Sequence, residues 1–361
     1  MPQSNSKTGV LIINLGTPES PAVKDVRRYL REFLMDRRVI DVPYLQRFLL
    51  VNFLIAPFRA PQSAKTYRTI WTEKGSPLKV YGLILAQKLQ KELGDQYIVE
   101  LTMRYQTPSI ESKVEELCQK GVQNIIIIPL YPQYASSSTG STVEEVMRVI
   151  KKREVVPTIS FINQFFDDER FIDVVVKNGR RHMAKRSYDH FVFSYHGLPE
   201  RQIRKSSFQN HCRINEQCCS SYHKNNQYCY RAQCFETTRL IAKKLGIKEK
   251  DYTVCFQSRL GRDPWIKPYT DEVIKQLAFQ NVRSVLAFSP AFVADCLETT
   301  YEVGVEYKHI FLGLGGKDWD LVESLNDDPQ WVDCLAHLVK ESSRKKSDEI
   351  SGEVIDCPTA F

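Results

Sequence analysis

Short apolar runs alternate with amphipathic stretches along this chain. Residues 9–14 read Gly-Val-Leu-Ile-Ile-Asn, a β-branched run that predicts a strand, and 22–33 continue with apolar residues at helical spacing. The same pattern predicts a helix over 78–94, a strand over 97–103, a helix over 109–120 and, at 124–129 (Asn-Ile-Ile-Ile-Ile-Pro), a strand buried on both faces. The second half repeats the scheme, with a strand at 190–194 leading to His196, a helix over about 232–245, a strand at 252–256, a helix at 269–279 and a strand at 284–288 leading to Glu298. Strands alternating with helices predict an α/β fold with a doubly wound, mostly parallel sheet. The repetition predicts two similar Rossmann-like domains, 8–180 and 181–340, meeting in the basic stretch 178–189 and followed by a polar tail at 341–361.

One segment does not fit this alternation. Between Pro43 and Pro57 the residues Leu45, Phe48, Leu49, Leu50, Val51, Phe53, Leu54 and Ile55 crowd together, and 44–58 reads either as an ordinary core helix or as an apolar lip over a hydrophobic ligand that dips into a membrane interface. The longest apolar run, 48–57, is interrupted by Asn52 and is shorter than the roughly 20 residues a bilayer span requires. The opening Met-Pro-Gln-Ser-Asn-Ser-Lys-Thr carries no apolar signal region, so the expected location is the cytoplasm, with peripheral attachment to the inner face of the membrane as the variant the lip would add.

Composition narrows the partners. A formal charge of +7 is spread along the 361 residues and not gathered into one tract, which argues against nucleic acid. Of ten cysteines, Cys212, Cys218, Cys219, Cys229 and Cys234 fall in the polar stretch 206–235; Cys118, Cys255, Cys296, Cys334 and Cys357 are scattered and read as small buried hydrophobes. In a reducing compartment the clustered five point away from disulfides and toward a metal centre or free thiols.

Two strand–loop units carry the candidate chemistry, Phe-Val-Phe-Ser-Tyr-His-Gly-Leu-Pro at 191–199 and the run from Val285 through Cys296, Leu297 and Glu298 to Glu302. Loops at the carboxyl ends of neighbouring strands converge on one crevice, so His196 and Glu298 are expected to face a common ligand. Glu298, Glu302 and Glu306 stand at i, i+4 and i+8, which places three carboxylates on one face of an α-helix. Like charges at that spacing destabilise a bare helix, so the face is either a solvated acidic surface or a path for a cation.

Seven further motifs occur in order: Asn-Leu-Gly-Thr-Pro at 14–18, Gly-Ser-Pro at 75–77, Tyr-Pro-Gln-Tyr with Ser-Thr-Gly-Ser within 131–141, Ser-Tyr-His-Gly-Leu-Pro at 194–199, Phe-Gln-Ser-Arg-Leu-Gly with Pro-Trp within 256–265, Leu-Glu-Thr at 297–299 and Glu-Ser-Leu-Asn at 323–326. Together they resemble the ferrochelatase family over roughly 8–340. That resemblance implies a chelatase-type pair of four-stranded parallel sheets and insertion of Fe(II) into protoporphyrin IX, with two pyrrole protons released. It gives His196 and Glu298 the catalytic roles, and His196, Glu298, Glu302 and Glu306 the handling of the substrate iron. It assigns the macrocycle to Leu15, Tyr67, Tyr131, Trp265 and Phe292, the propionates to Arg59, Ser76 and Ser258, and to Asp295 the orienting of His196 or relay of protons. Gly304 departs from the family, in which many members carry another acid there.

Some ferrochelatases hold a [2Fe–2S] cluster, and by resemblance the internal cysteines Cys212, Cys218, Cys219, Cys229 and Cys234 supply one, with zinc as the other metal such thiolates take. A homodimer is consistent with the family. Coproporphyrin as substrate, a cobalt or nickel chelatase of the same fold, and a haem-binding or metal-sensing module without turnover are the competing readings.

Overall fold

The computed structural model describes residues 7–351 apart from 216, 260 and 262; Cys357 and the tail from 352 onward lie outside the described residues. Two four-stranded sheets form, one in each half. Strands β1 (Thr8–Gly16), β2 (Tyr97–Tyr105), β3 (Asn124–Pro129) and β4 (Thr158–Phe161) lie in the order β2-β1-β3-β4. Strands β5 (His190–His196), β6 (Tyr252–Gln257), β7 (Ser284–Phe288) and β8 (Asp318–Leu321) repeat that order as β6-β5-β7-β8. Every pairing is parallel. The α/β prediction holds, and the repeat extends to single residues. Gly16 after β1 and Gly197 after β5 each lie against a carbonyl of the neighbouring strand: an added Cβ would sit 2.1 Å from Tyr105 O and 2.8 Å from Gln257 O, respectively. Only glycine lets the chain leave these two strands so close to their neighbours.

Helices cover the sheets. In the first half they are α1 (Val23–Leu34), α2 (Tyr44–Leu49), α3 (Ala56–Ile70), α4 (Pro77–Leu93), α5 (Ile110–Gln119), α6 (Ser141–Ile150) and α7 (Glu169–Met183). In the second they are α8 (Glu200–Lys205), α9 (Tyr230–Leu245), α10 (Thr270–Phe279), α11 (Lys308–Gly313) and α12 (Pro329–Ser351). Three segments wind more widely, as π-helices bonded i to i+5: π1 (Leu50–Ile55), π2 (Ser136–Gly140) and π3 (Leu297–Tyr307).

Two boundaries differ from those expected, and one of the two readings of 44–58 drops out. The boundary at 180/181 falls inside α7, and the largest buried cluster joins Val10 and Ile12 to Phe193, Phe288 and Trp331, so the two sheets share one core. The tail does not begin at 341, because α12 continues to Ser351 and Tyr97 Oη bonds Ser343 Oγ at 3.3 Å. The segment 44–58 is not a buried core helix: Tyr44, Leu45, Leu49, Phe53, Leu54 and Phe58 are all exposed, Phe58 at 75%. Among the described residues no helix is long and apolar enough to cross a membrane.

Candidate active site

His196 is the last residue of β5, where the carboxyl ends of β5, β6 and β7 open into a crevice. Its Nδ1 lies 2.6 Å from Gly197 O. A carbonyl can only accept, so Nδ1 donates there, and in the neutral imidazole Nε2 is the nitrogen with the lone pair. The half-buried ring packs beside Trp265, with ring centroids 6.4 Å apart.

The acidic run lies on π3, which corrects the α-helical expectation. Two of its carbonyls are taken by side chains from the sheet: Gln257 Nε2 donates to Glu298 O at 3.0 Å and Trp319 Nε1 to Val303 O at 2.9 Å. Partners inserted this way compensate a widened turn. The widening also brings Tyr307, five residues on, onto Glu302, with Tyr307 Oη donating to the carboxylate at 2.9 Å. Ser258 Oγ donates to the same carboxylate at 2.6 Å and Gln257 Nε2 at 3.2 Å. Burial, and then the charge of Glu298, push the Glu302 carboxyl above its usual range despite these donors. Glu298 is half-buried, and after burial its charge is the largest influence raising the Tyr67 hydroxyl, so it faces the wall formed by α3, which packs on π3. Glu306 is exposed. Among the described residues no three or more His, Cys, Asp or Glu side chains converge on one ion position.

The residues expected to contact a porphyrin fall in several surroundings. Leu15 and Tyr67 pack with α1 and α3, and Tyr67 meets Tyr29 edge-on at 6.4 Å. The buried Tyr131 hydroxyl has no hydrogen-bond partner among the described residues. Arg59, on α3, is open to solvent, yet the surrounding walls hold its pKa below the usual guanidinium value. Ser76 is buried and accepts from Thr17 Oγ1 at 2.9 Å, while Ser258 is bound to Glu302. Phe292 lines a small cavity with Phe171, Val175 and Glu323.

Asp295 does not bond His196. It accepts from Asn326 Nδ2 at 3.0 Å and Ser324 N at 3.3 Å, which fixes the loop before π3. Sequence reasoning assigned no role to Gln257, Tyr307, Tyr29 or Tyr230. Gln257 stood in the Phe-Gln-Ser motif, whereas Tyr307 is hidden by any α-helical spacing.

Four of the five clustered cysteines come together. Cys218 and Cys219 sulfurs lie 3.8 Å apart, and Cys229 keeps its proton while donating to Cys212 and Cys219, whose pKa values fall to about 6 chiefly for that reason. Cys234 stands apart on α9, fully buried and bonded to Tyr230. All of the described cysteines are free of disulfides.

Comparison with known proteins identifies the family and the fold. The sequence model of the ferrochelatase family matches residues 7–343. A ferrochelatase of Legionella pneumophila (strain Lens) is 43% identical over 335 residues, covering 93% of this chain and 99% of the relative. One from Coxiella burnetii (strain Dugway 5J108-111) is 44% identical over 340 residues, covering 94% and 95%. Among solved structures, SirB from Bacillus subtilis with Fe3+ aligns over 94% of this chain and 97% of that one with a TM-score of 0.54 at 13% identity, a likeness of fold alone.

Proposed function

The chain belongs to the ferrochelatase family and is a metal chelatase, a lyase, and from that premise we propose that it inserts Fe(II) into protoporphyrin IX, releasing two protons and forming protohaem. The observation that carries this reading is that His196, its Nδ1 donating to Gly197 O, lies close enough to Glu302 to act on its carboxyl, which Glu298 also influences. Nε2 accepts a pyrrole proton. Glu302, held by Ser258, Tyr307 and Gln257 and raised by burial, is suited to take up and release a proton, and Glu298 presents a carboxylate toward the macrocycle. Glu306, at the exposed end of π3, meets the incoming iron first. Carboxylates and an imidazole hold Fe(II) without trapping it, as a thiolate cage would. Arg59 offers a propionate two parallel hydrogen bonds.

The apolar lip favours protoporphyrin IX over the more polar coproporphyrin. Comparing insertion of Fe(II), Co(II) and Ni(II) into protoporphyrin, coproporphyrin and a sirohydrochlorin-type ring tests this; fastest turnover with Fe(II) and protoporphyrin supports it, and preference for a sirohydrochlorin-type ring overturns it.

The exposed lip residues support peripheral attachment to a lipid surface. Burying a large apolar side chain contributes about 1.5–3 kcal/mol. Phe53→Asp with Leu54→Asp should therefore weaken sedimentation with phospholipid vesicles by roughly 100-fold or more. Equal sedimentation of variant and parent would refute the attachment.

The thiol set supports a [2Fe–2S] cluster held by Cys212, Cys218, Cys219 and Cys229, since four thiols linked in a chain of pairwise contacts in a polar, disulfide-free segment offer a thiolate-only donor set. When bound, such a cluster supplies one-electron redox capacity and clamps the loop. Anaerobically purified protein should be reddish, and Cys212→Ser or Cys229→Ser should bleach it and lower Tm by about 4 °C or more, each kcal/mol lost being worth roughly 2–4 °C at this domain size. Colourless protein with about one zinc per chain would make the segment a zinc site.

A further inference from the structure

We propose that Tyr230 is a positioning residue that transmits the state of the cysteine segment to His196. The proposal rests on the cysteine-centre reading only for what is being transmitted. Cys229 caps the start of α9, and Tyr230 is the next residue. The Tyr230 ring is 7% exposed and its hydroxyl donates to His196 O at 2.9 Å. Among the described residues this is the one direct hydrogen bond between 206–235 and His196.

The bond falls on a sensitive peptide. Between His196 and Gly197 the carbonyl is held by Tyr230, while the amide of Gly197 donates to Gln257 O at 2.8 Å. His196 Nδ1 bonds the carbonyl of Gly197, in the next peptide along, so the setting of these two linked peptides fixes where Nε2 points. A misplacement of about 1 Å in a reacting group costs up to roughly 100-fold in rate. Arg231, the following residue, reaches the other side of the site. It is 5% exposed and donates both to Asn215 O of the cysteine segment and to Lys267 O, each at 3.2 Å, and Lys267 lies two residues after the Trp265 that packs beside His196. The start of α9 thus joins the thiols to both supports of His196.

A double-mutant cycle between Tyr230→Phe and Cys229→Ser tests the linkage, with kcat, both KM values and visible absorbance read on the full chain. Losing one hydrogen bond should lower kcat roughly three- to tenfold in Tyr230→Phe, with KM and absorbance unchanged. Cys229→Ser should lower kcat at least as far, and the double variant should fall no more than about twofold below it, because the second change removes a linkage already broken. Wild-type kcat in Tyr230→Phe, or losses that multiply, would overturn the proposal. If Cys229→Ser does not fold, stripping the parent and Tyr230→Phe with dithionite and a chelator gives the same comparison: a large loss in the parent and a small one in Tyr230→Phe supports it, and equal fractional losses overturn it. Colourless parent protein defeats the cluster reading alone, and the cycle then still decides the linkage through the Cys229 thiol.

Discussion

His196→Ala should abolish iron insertion while porphyrin still binds. The imidazole commits Nδ1 to Gly197 O, so Nε2 is the ring nitrogen left to meet the substrate. Loss of a general base costs typically 10²–10⁴-fold, and here the same side chain also stands beside the carboxylates that meet the metal. The walls contributed by Tyr67, Leu15 and Trp265 do not depend on His196 for their packing, apart from the Trp265 ring contact. Porphyrin titration followed by fluorescence should therefore give a Kd within about threefold of the parent. Substantial residual turnover in the variant would remove His196 from the mechanism.

Glu298→Gln should lose nearly all activity, whereas Glu306→Gln should mainly raise the apparent KM for iron. Glu298 is half-buried against Tyr67 and Tyr29, where a carboxylate is screened little by solvent; Glu306 is exposed at the far end of π3. A group near the macrocycle acts in the transition state and is seen in kcat, while a group that only attracts the ion is seen in KM. Equal, large falls in kcat for both variants would contradict a graded approach of the metal.

Much of the fold was legible because β1, β3, β5, β6 and β7 are largely buried and mostly apolar in sequence, while β2 alternates apolar residues with Glu100, Thr102 and Arg104. The edge strands β4 and β8 escaped notice, since Thr-Ile-Ser-Phe and Asp-Trp-Asp-Leu do alternate, but over only four residues, too short a stretch to stand out from a loop. At the site, His196 and Glu298 were legible from motif and strand position. The form of the helix bearing Glu298 was not: π3 depends on Gln257 and Trp319, side chains of β6 and β8 that reach its carbonyls from remote sequence. The same holds for Asp295, whose partners Ser324 and Asn326 lie about thirty residues on, and for Tyr230, whose value comes only from where β5 ends. Local pattern reports burial; it does not report which buried polar groups meet.

The central claim is that the crevice takes two protons from a porphyrin as Fe(II) enters. Anaerobic mixing of the purified chain with Fe(II) and protoporphyrin IX in weak buffer, with haem followed by absorbance and protons by an indicator, tests it in one experiment. The account predicts repeated turnover with two protons released for each haem formed; a porphyrin that binds and keeps its metal-free spectrum, with no proton release, would contradict it.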